Sequence, residues 1–496
     1  MPLSNLQPNV HQRRTSFPLR TDPLQDDKAT EIKLLSVARP HMRAFHYAWL
    51  SFFFAFFGWF SVPPLMPTIK KQLGLTADQV SNSNIVSVAS TILGRAVGGP
   101  LCDRYGARTI QAILLVVGAI PVASAALVTS YTGLMFARFF IGLVGCSFIA
   151  TTYWTSTMFS KEVVGSANAL AAGWGNLGAG VTTLVTPQIF NLVTIGGALS
   201  DDIGWRIALL FPAFFMVIVG VALYFNSDDC PQGQYKDLKK NHIDAVATKP
   251  AVDMKQGLLL VAKMPVTWIL AFQYACSFGV ELQVHNVLTE HYYEDFTYPN
   301  CDPATDANEC RRLTQSRATL ISSLFGFMCL FARALGGYLS DVANQRYGMK
   351  GRIATQFVAF AGQAIFLYLY STTKNLSSSV PLLIFFGIFV QACTGSTYGI
   401  VPYVLPAFTG ATSGFVGAGG NVGALCWSLM FKGIGDRSTS FKYLSIFVGV
   451  GALVTFGIKV PGSAAIWEKS NSVNGSVACT EVDDDSVHNP RNATPV

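Results

Sequence analysis

Residues 94–108 read GRAVGGPLCDRYGAR, and residues 332–352 read ARALGGYLSDVANQRYGMKGR. Both contain R-A-x-G-G-x-L-x-D, and the acid follows the arginine by the same interval, Arg95 to Asp103 and Arg333 to Asp341. Each arginine stands inside an apolar stretch. A cation within a membrane span is costly unless paired, so it marks a functional site by default. Its recurrence at matching points of two halves predicts a duplicated carrier whose two guanidinium groups face one anion.

The rest of the chain agrees with a membrane setting. Of 496 residues, 51% are hydrophobic and 13% charged, about half the charge of an ordinary soluble domain. Apolar runs of the ~20 residues that cross a bilayer recur from end to end. Twelve spans are expected, near 45–66, 82–102, 109–128, 131–158, 166–190, 206–226, 265–288, 315–340, 352–371, 379–400, 404–431 and 441–460. The expected fold is all-α, a polytopic membrane protein of two pseudo-symmetric six-helix bundles. The division is an N-terminal tail 1–44, a first bundle 45–226, a linker 227–264, a second bundle 265–460 and a tail 461–496. Both tails read as solvated and disordered, and residues 1–44 show no cleavable signal peptide.

Basic residues set the orientation. With both termini cytoplasmic, Arg39, Arg43, Arg104, Arg108, the linker lysines, Arg346, Lys350 and Arg352 face inward, whereas Asp201, Asp202, Glu290, Glu294, Asp295 and Asp302 face outward. Lys70, Lys71, Arg311 and Arg312 go against the bias. The net charge of +7 suits a face against anionic lipid and does not indicate nucleic acid. The ten cysteines lack metal-ligand spacing, and no metal or cofactor is expected. Cys146, Cys276, Cys329, Cys393 and Cys426 read as small packing residues. Cys301 and Cys310 share an outer loop where a disulfide can form. Asn375 opens N-L-S in another outer loop and is a glycosylation candidate. Asn474 and Asn492 fall in the cytoplasmic tail and should stay bare.

At about 1.5 Å per residue, eight residues put each arginine roughly 12 Å from its aspartate. With Asp103 and Asp341 at the cytoplasmic membrane edge, both arginines reach the midplane of a roughly 30 Å core. Asp103 and Asp341, with Arg104, Arg108, Arg346 and Arg352, are placed to form salt bridges at helix ends on the cytoplasmic face that latch one conformation of the carrier. A second repeat supports duplication: GWGNLGAG from Gly173 resembles GAGGNVGA from Gly417. Glycine density permits close helix packing, but Asn176 and Asn421 each need a polar partner in a dry setting. An anion or the arginines can supply it.

Twelve spans, the GGPLCDRYGAR loop, the two glycine–asparagine segments and the two midspan arginines together resemble the nitrate/nitrite porters of the major facilitator superfamily. The stretch ARPHMRAFHYAW, Ala38 to Trp49, resembles the eukaryotic high-affinity nitrate transporters of plant and algal type. The resemblance implies that Arg95, Arg333, Asn176 and Asn421 bind substrate, with Tyr274, Phe278 and Phe148 lining the pocket. It also implies a plasma-membrane address and a small single-span accessory protein as a partner. Physical chemistry is in accord. Nitrate is a flat monovalent anion, and a planar guanidinium presents paired donors to it where lysine offers a point charge.

Two facing arginines leave an empty carrier with two unpaired charges in low dielectric, which predicts obligatory anion exchange. Net uptake needs a compensating acid, and Glu281 is the candidate, seven residues after Tyr274 on about the same helix face. The expected function is therefore proton-coupled nitrate and nitrite symport, with nitrate/nitrite exchange and a nitrate sensor of the same fold as alternatives. Transport of another monovalent anion such as formate also fits the geometry. Arg138 and His285 are rival proton-coupling residues. No nucleophile–base pair or phosphate-binding loop suggests an enzyme.

Overall fold

The computed structural model describes residues 17–160, 163–240, 254–298, 301, 310–405 and 408–463. Ten helices among them are long and apolar enough to cross a membrane: α1 (His41–Leu73), α3 (Ala107–Leu127), α4 (Tyr131–Met158), α5 (Val164–Gly197), α6 (Asp201–Asn226), α8 (Gln315–Tyr347), α9 (Met349–Thr372), α10 (Leu376–Tyr403), α11 (Ala411–Ile434) and α12 (Arg437–Gly457). α7 (Pro265–Asp295), bent by 87° from the short helix Gly257–Lys263, is an eleventh. α2 (Ala77–Tyr105) has 29 residues, longer than the ~20 that cross the hydrocarbon core.

Local sequence sets where these helices begin. Thr76 and Gln79 form a reciprocal capping box at the start of α2, and Ser130, Ser200, Thr314 and Asp436 cap α4, α6, α8 and α12. Each occupies backbone N–H groups that a helix start would leave orphaned. The repeated R-Y-G ends its helix the same way twice. Gly106 (φ +86°) and Gly348 (φ +60°) turn the chain from α2 into α3 and from α8 into α9, a conformation that costs other residues dearly.

Packing repeats with a period of six helices. α1 lies on α5, α2 on α4 and α3 on α6; α7 lies on α11, α8 on α10 and α9 on α12. The crossings between halves obey the same symmetry, α5 on α8 and α11 on α2. The two glycine–asparagine segments lie on α5 and α11, and the two arginines on α2 and α8. Duplication in sequence thus becomes a pair of equivalent crossings at the centre of the molecule.

The N-terminal tail departs from expectation. From residue 17 onward it is packed, with Leu19 and Ala29 buried. β1 (Thr21–Asp22) pairs antiparallel with β2 (Lys28–Ala29), and Ala29 lies alongside Phe159 at the end of α4. Lys28 Nζ donates to Ser156 O at 2.9 Å, and Gln232 Nε2 donates to Asp26 O at 2.6 Å. Two-residue strands carry no periodicity to read, and the turn rests on Asp26 and Asp27 at positive φ, which aspartate tolerates. The linker is also partly helical, at Tyr235–Lys240 and Met254–Lys263. The rest of both tails, with Asn474 and Asn492, lies outside the described residues.

Candidate functional site

Arg333 sits on α8 just past a 3-10 turn at Met328–Leu330 and is 2% exposed. Its Nη2 donates to Glu281 Oε2 at 2.7 Å, a buried ion pair. Nε and Nη2 also donate to Gln391 Oε1, at 3.0 and 2.8 Å. With its amide oxygen toward the guanidinium, Asn176 accepts from Nη1 and Nη2 at 2.6 and 2.7 Å. Cys329 Sγ donates to the other Glu281 oxygen at 3.4 Å. Arg333 is thus neutralised by one carboxylate and held by amides from α5 and α10.

Arg95 is arranged differently. Its guanidinium carbon lies over the rings of Phe148, at 5.1 Å, and Phe278, at 5.3 Å. Its Nε and Nη2 are buried and have no hydrogen-bond partner, and no carboxylate among the described residues pairs with it. Phe278, which Arg95 overlies, and Glu281, which Arg333 holds, stand three residues apart on α7. The arginines therefore converge on one locus, one charge compensated and the other free.

Aromatic rings wall this locus. A π-helical turn at Ala275–Gly279 interrupts α7, as such turns often do at functional sites. Phe278, within it, stacks on Tyr274 at 5.2 Å and faces Phe148 at 6.4 Å. Phe148 itself follows a 3-10 turn at Val144–Cys146 in α4. Tyr398 meets Tyr274 edge-on at 5.2 Å. Gly420 lets α11 approach this wall, since a Cβ there would fall 2.6 Å from Tyr274 and 2.9 Å from Phe278. Neighbouring Asn421 is buried, donates to Gly417 O at 3.3 Å and leaves its own oxygen unpartnered. It makes no bond to either guanidinium, unlike its counterpart Asn176.

Gln391, Tyr398 and the thiol of Cys329 were not singled out from sequence. A lone glutamine in the apolar run IFVQACTG is a readable signal, because a buried amide needs a partner. Tyr398 and Cys329 carry no comparable mark. His285 is buried between the rings of Phe60 and Phe325, at 5.3 and 5.2 Å, with Nε2 unpartnered.

The N-terminal hairpin marks one face of the molecule, the tail face. There Arg352 pairs with Asp341 at 2.7 Å and lies 5.1 Å from the Tyr403 ring. Arg108 pairs at 3.4 Å with Asp229, beyond α6, and lies 4.8 Å from the Tyr224 ring. Arg108 thus turns to an acid that sequence reading passed over; the Asp103 side chain lies outside the described residues. On the opposite face, bonds join the two halves. Lys70 pairs with Glu294 at 2.9 Å, Thr68 donates to Gln315 at 2.6 Å, and Lys432 donates to Asn82 at 2.8 Å. Cys301 and Cys310 are joined by a disulfide, and Asn375 caps α10 by accepting from Ser377 N at 3.1 Å. Among the described residues no group of three His, Cys, Asp or Glu is placed to hold a metal.

Residues 48–428 match the Major Facilitator Superfamily model. High affinity nitrate transporter 2.5 of Arabidopsis thaliana is 36% identical over 84% of this chain and 78% of its own length. Nitrate transporter 2.1 of Chlamydomonas reinhardtii is 33% identical over 88% and 76%, and the nitrate/nitrite transporter NrtP of Nostoc punctiforme 26% over 84% and 92%. In fold, the chain is similar to the E. coli xylose transporter XylE in a partially occluded inward-open conformation, with TM-score 0.60 and 14% identity over 86% of this chain and 99% of that one. With its six-helix repeat and central arginines, the chain belongs to the major facilitator superfamily and, within it, to the family of these plant and algal nitrate transporters.

Proposed function

We propose that this protein carries nitrate, and nitrite with it, across the plasma membrane by alternating access coupled to protons. Both termini are then cytoplasmic, and the tail face is the inner face. The observation that carries this reading is the asymmetry of the arginine pair. Arg333 is neutralised by Glu281, whereas Arg95 keeps two buried unpartnered donors. The empty site therefore holds one net positive charge, which suits one monovalent anion. Phosphate would bring more charge and more acceptors than one free guanidinium satisfies.

Coupling follows from the same charges. An anion bridging both arginines must take Arg333 from the Glu281 carboxylate, and protonation releases that carboxylate. Loaded with nitrate and a proton, the site again carries one net positive charge, as when empty. Both legs of the cycle then move the same charge through low dielectric, and neither leaves an unpaired second arginine. Nitrate without a proton makes the site neutral but leaves Glu281 ionised and displaced. Asn176, on α5, and Gln391, on α10, hold Arg333 during the exchange of partners.

The test is uptake of labelled nitrate by the purified chain in liposomes under an inward proton gradient. Uptake that follows the gradient and is lost in Arg95→Lys supports the reading. Nitrate uptake indifferent to the gradient refutes the coupling, and a lysine variant with normal affinity refutes the paired-donor site.

A further inference from the structure

One more charge lies in the membrane. Arg138, on α4, is completely buried. Its Nη2 donates to Asn84 Oδ1 on α2 at 2.8 Å and to Asn286 Oδ1 on α7 at 3.1 Å. Its Nε and Nη1 have no partner, and no carboxylate among the described residues pairs with it. Guanidinium stays charged under all physiological conditions, and a buried cation with only two neutral acceptors is costly. A structural arginine would hold a carboxylate, as Arg437 holds Glu294 at 2.8 Å. Arg138 instead keeps two donors in reserve, the condition that Arg95 shares.

Its position indicates what those donors serve. Asn84 precedes Arg95 on α2 by eleven residues, which sets Arg138 about 16 Å from the central site along the helix axis. The offset runs toward the opposite face, where Lys70–Glu294 and Lys432–Asn82 tie the halves together. Asn84 belongs to the first half and Asn286 to the second, so the guanidinium bridges the seam through which an anion from that face must pass.

We infer that Arg138 is a second anion-binding station, a relay for nitrate between the opposite face and Arg95. When that face is open, the anion takes the donors of Arg138. When it closes, the Asn286 oxygen swings onto the same guanidinium and replaces the departing anion. The amides keep the cation tolerably solvated between visits, and a carboxylate in their place would hold it too tightly for turnover. This rests on the nitrate reading of the central site but requires a separate residue.

The test uses the full chain in oriented liposomes, with potassium nitrate applied to either face. A charge focused in a low-dielectric passage raises anion capture by about tenfold to a thousandfold. Arg138→Gln should accordingly raise half-saturation from the opposite face by roughly tenfold or more, leave half-saturation from the tail face in place, and be largely rescued by Arg138→Lys. Asn84→Asp covers the case in which Arg138→Gln fails to fold. It supplies a permanent carboxylate, so it should impose the same one-sided loss with no fall in melting temperature. Unchanged half-saturation in Asn84→Asp, or an equal shift at both faces in Arg138→Gln, overturns the relay. If the unaltered chain takes up no nitrate, the nitrate reading fails and the relay with it; normal uptake with insensitive variants sinks the relay alone.

Discussion

If Glu281 couples transport to protons as proposed, replacing it by glutamine should separate binding from coupling. The carboxylate is 1% exposed and lies 2.7 Å from Arg333 Nη2. An anion that engages Arg333 must break that charge-assisted bond, worth about 1.5–3 kcal/mol. At about 1.4 kcal/mol per decade, the competition weakens nitrate binding by roughly ten- to hundredfold. Glutamine keeps the shape and one carbonyl acceptor but removes the competing charge, so nitrate should bind tighter by that factor and independently of pH. Empty, the variant site carries two net positive charges and cannot cross; loaded, it carries one and can. Proton-driven net uptake should fall to background while exchange of labelled for unlabelled nitrate continues. Removing one member of a buried pair costs up to about 3–5 kcal/mol, but Gln391 and Asn176 stay on Arg333, so the melting temperature should recover in saturating nitrate. Counterflow and net uptake measured in the same liposomes decide the matter. Wild-type net uptake by Glu281→Gln, with unchanged nitrate affinity, would falsify the coupling argument.

Other substitutions probe the asymmetry of the site and the joints of the fold. Arg95→Lys should lose about 1.5–3 kcal/mol of nitrate binding without lowering the melting temperature, because Arg95 Nε and Nη2 hold no hydrogen bond to lose and a lysine ammonium can keep the cation–π contact with Phe148 and Phe278; Arg333→Lys, which breaks its bonds to Gln391, should lower both, as read by thermal shift and uptake titration. Phe278→Leu removes a ring 5.3 Å from the Arg95 guanidinium, a contact worth about 0.5–2 kcal/mol, and should move the Arg95 donors enough to raise half-saturation several-fold. Gly106→Ala combines a positive φ with a Cβ falling on the Asp229 carboxylate, whereas Gly348→Ala has open space. Positive φ alone costs about 1–2 kcal/mol, so both alanines should lower the melting temperature, Gly106→Ala by clearly more; equal losses would show that the Asp229 contact does not matter.

The duplication was legible because it was written twice in the same words. Arg95 and Arg333, Asn176 and Asn421, and the R-Y-G turns all stand out in a chain where polar residues within apolar runs are few. The six-helix period of the packing follows from them. Sequence could not show that the copies had diverged in chemistry. Arg95 and Arg333 read as equivalents, and Asn176 and Asn421 likewise, yet one of each pair is tied into a bonded network and the other is not. That difference depends on Gln391 and Glu281, which come from α10 and α7 and meet Arg333 only through long-range packing. The N-terminal hairpin was missed for a related reason: its strands are held by Ser156, Phe159 and Gln232, not by a pattern of their own.

Under the proposed function, the divergence is what would let a duplicated site work as a carrier. Two free arginines at a symmetric centre would bind an anion well, and would also forbid the empty protein from changing sides. Two neutralised arginines would allow return but hold no anion. Neutralising one of the pair with a titratable acid gives a site that is attractive when empty and mobile in both states. The acid also has to be near enough to compete with the anion, which the 2.7 Å contact to Arg333 meets. Placing it on the helix that also carries Phe278 has a further consequence. Phe278 lies against Arg95, while Glu281, three residues on, lies against Arg333, so a shift of α7 moves the partners of both cations at once. The π-helical turn at Ala275–Gly279 is where α7 can take up such a shift without unwinding, because its backbone is already out of the regular ladder. On the proposed coupling, anion arrival at Arg95 and carboxylate release at Arg333 would be one movement of one helix. Straightening that turn by deleting Ser277 should therefore leave a folded protein that binds nitrate with altered affinity but no longer links binding to proton uptake.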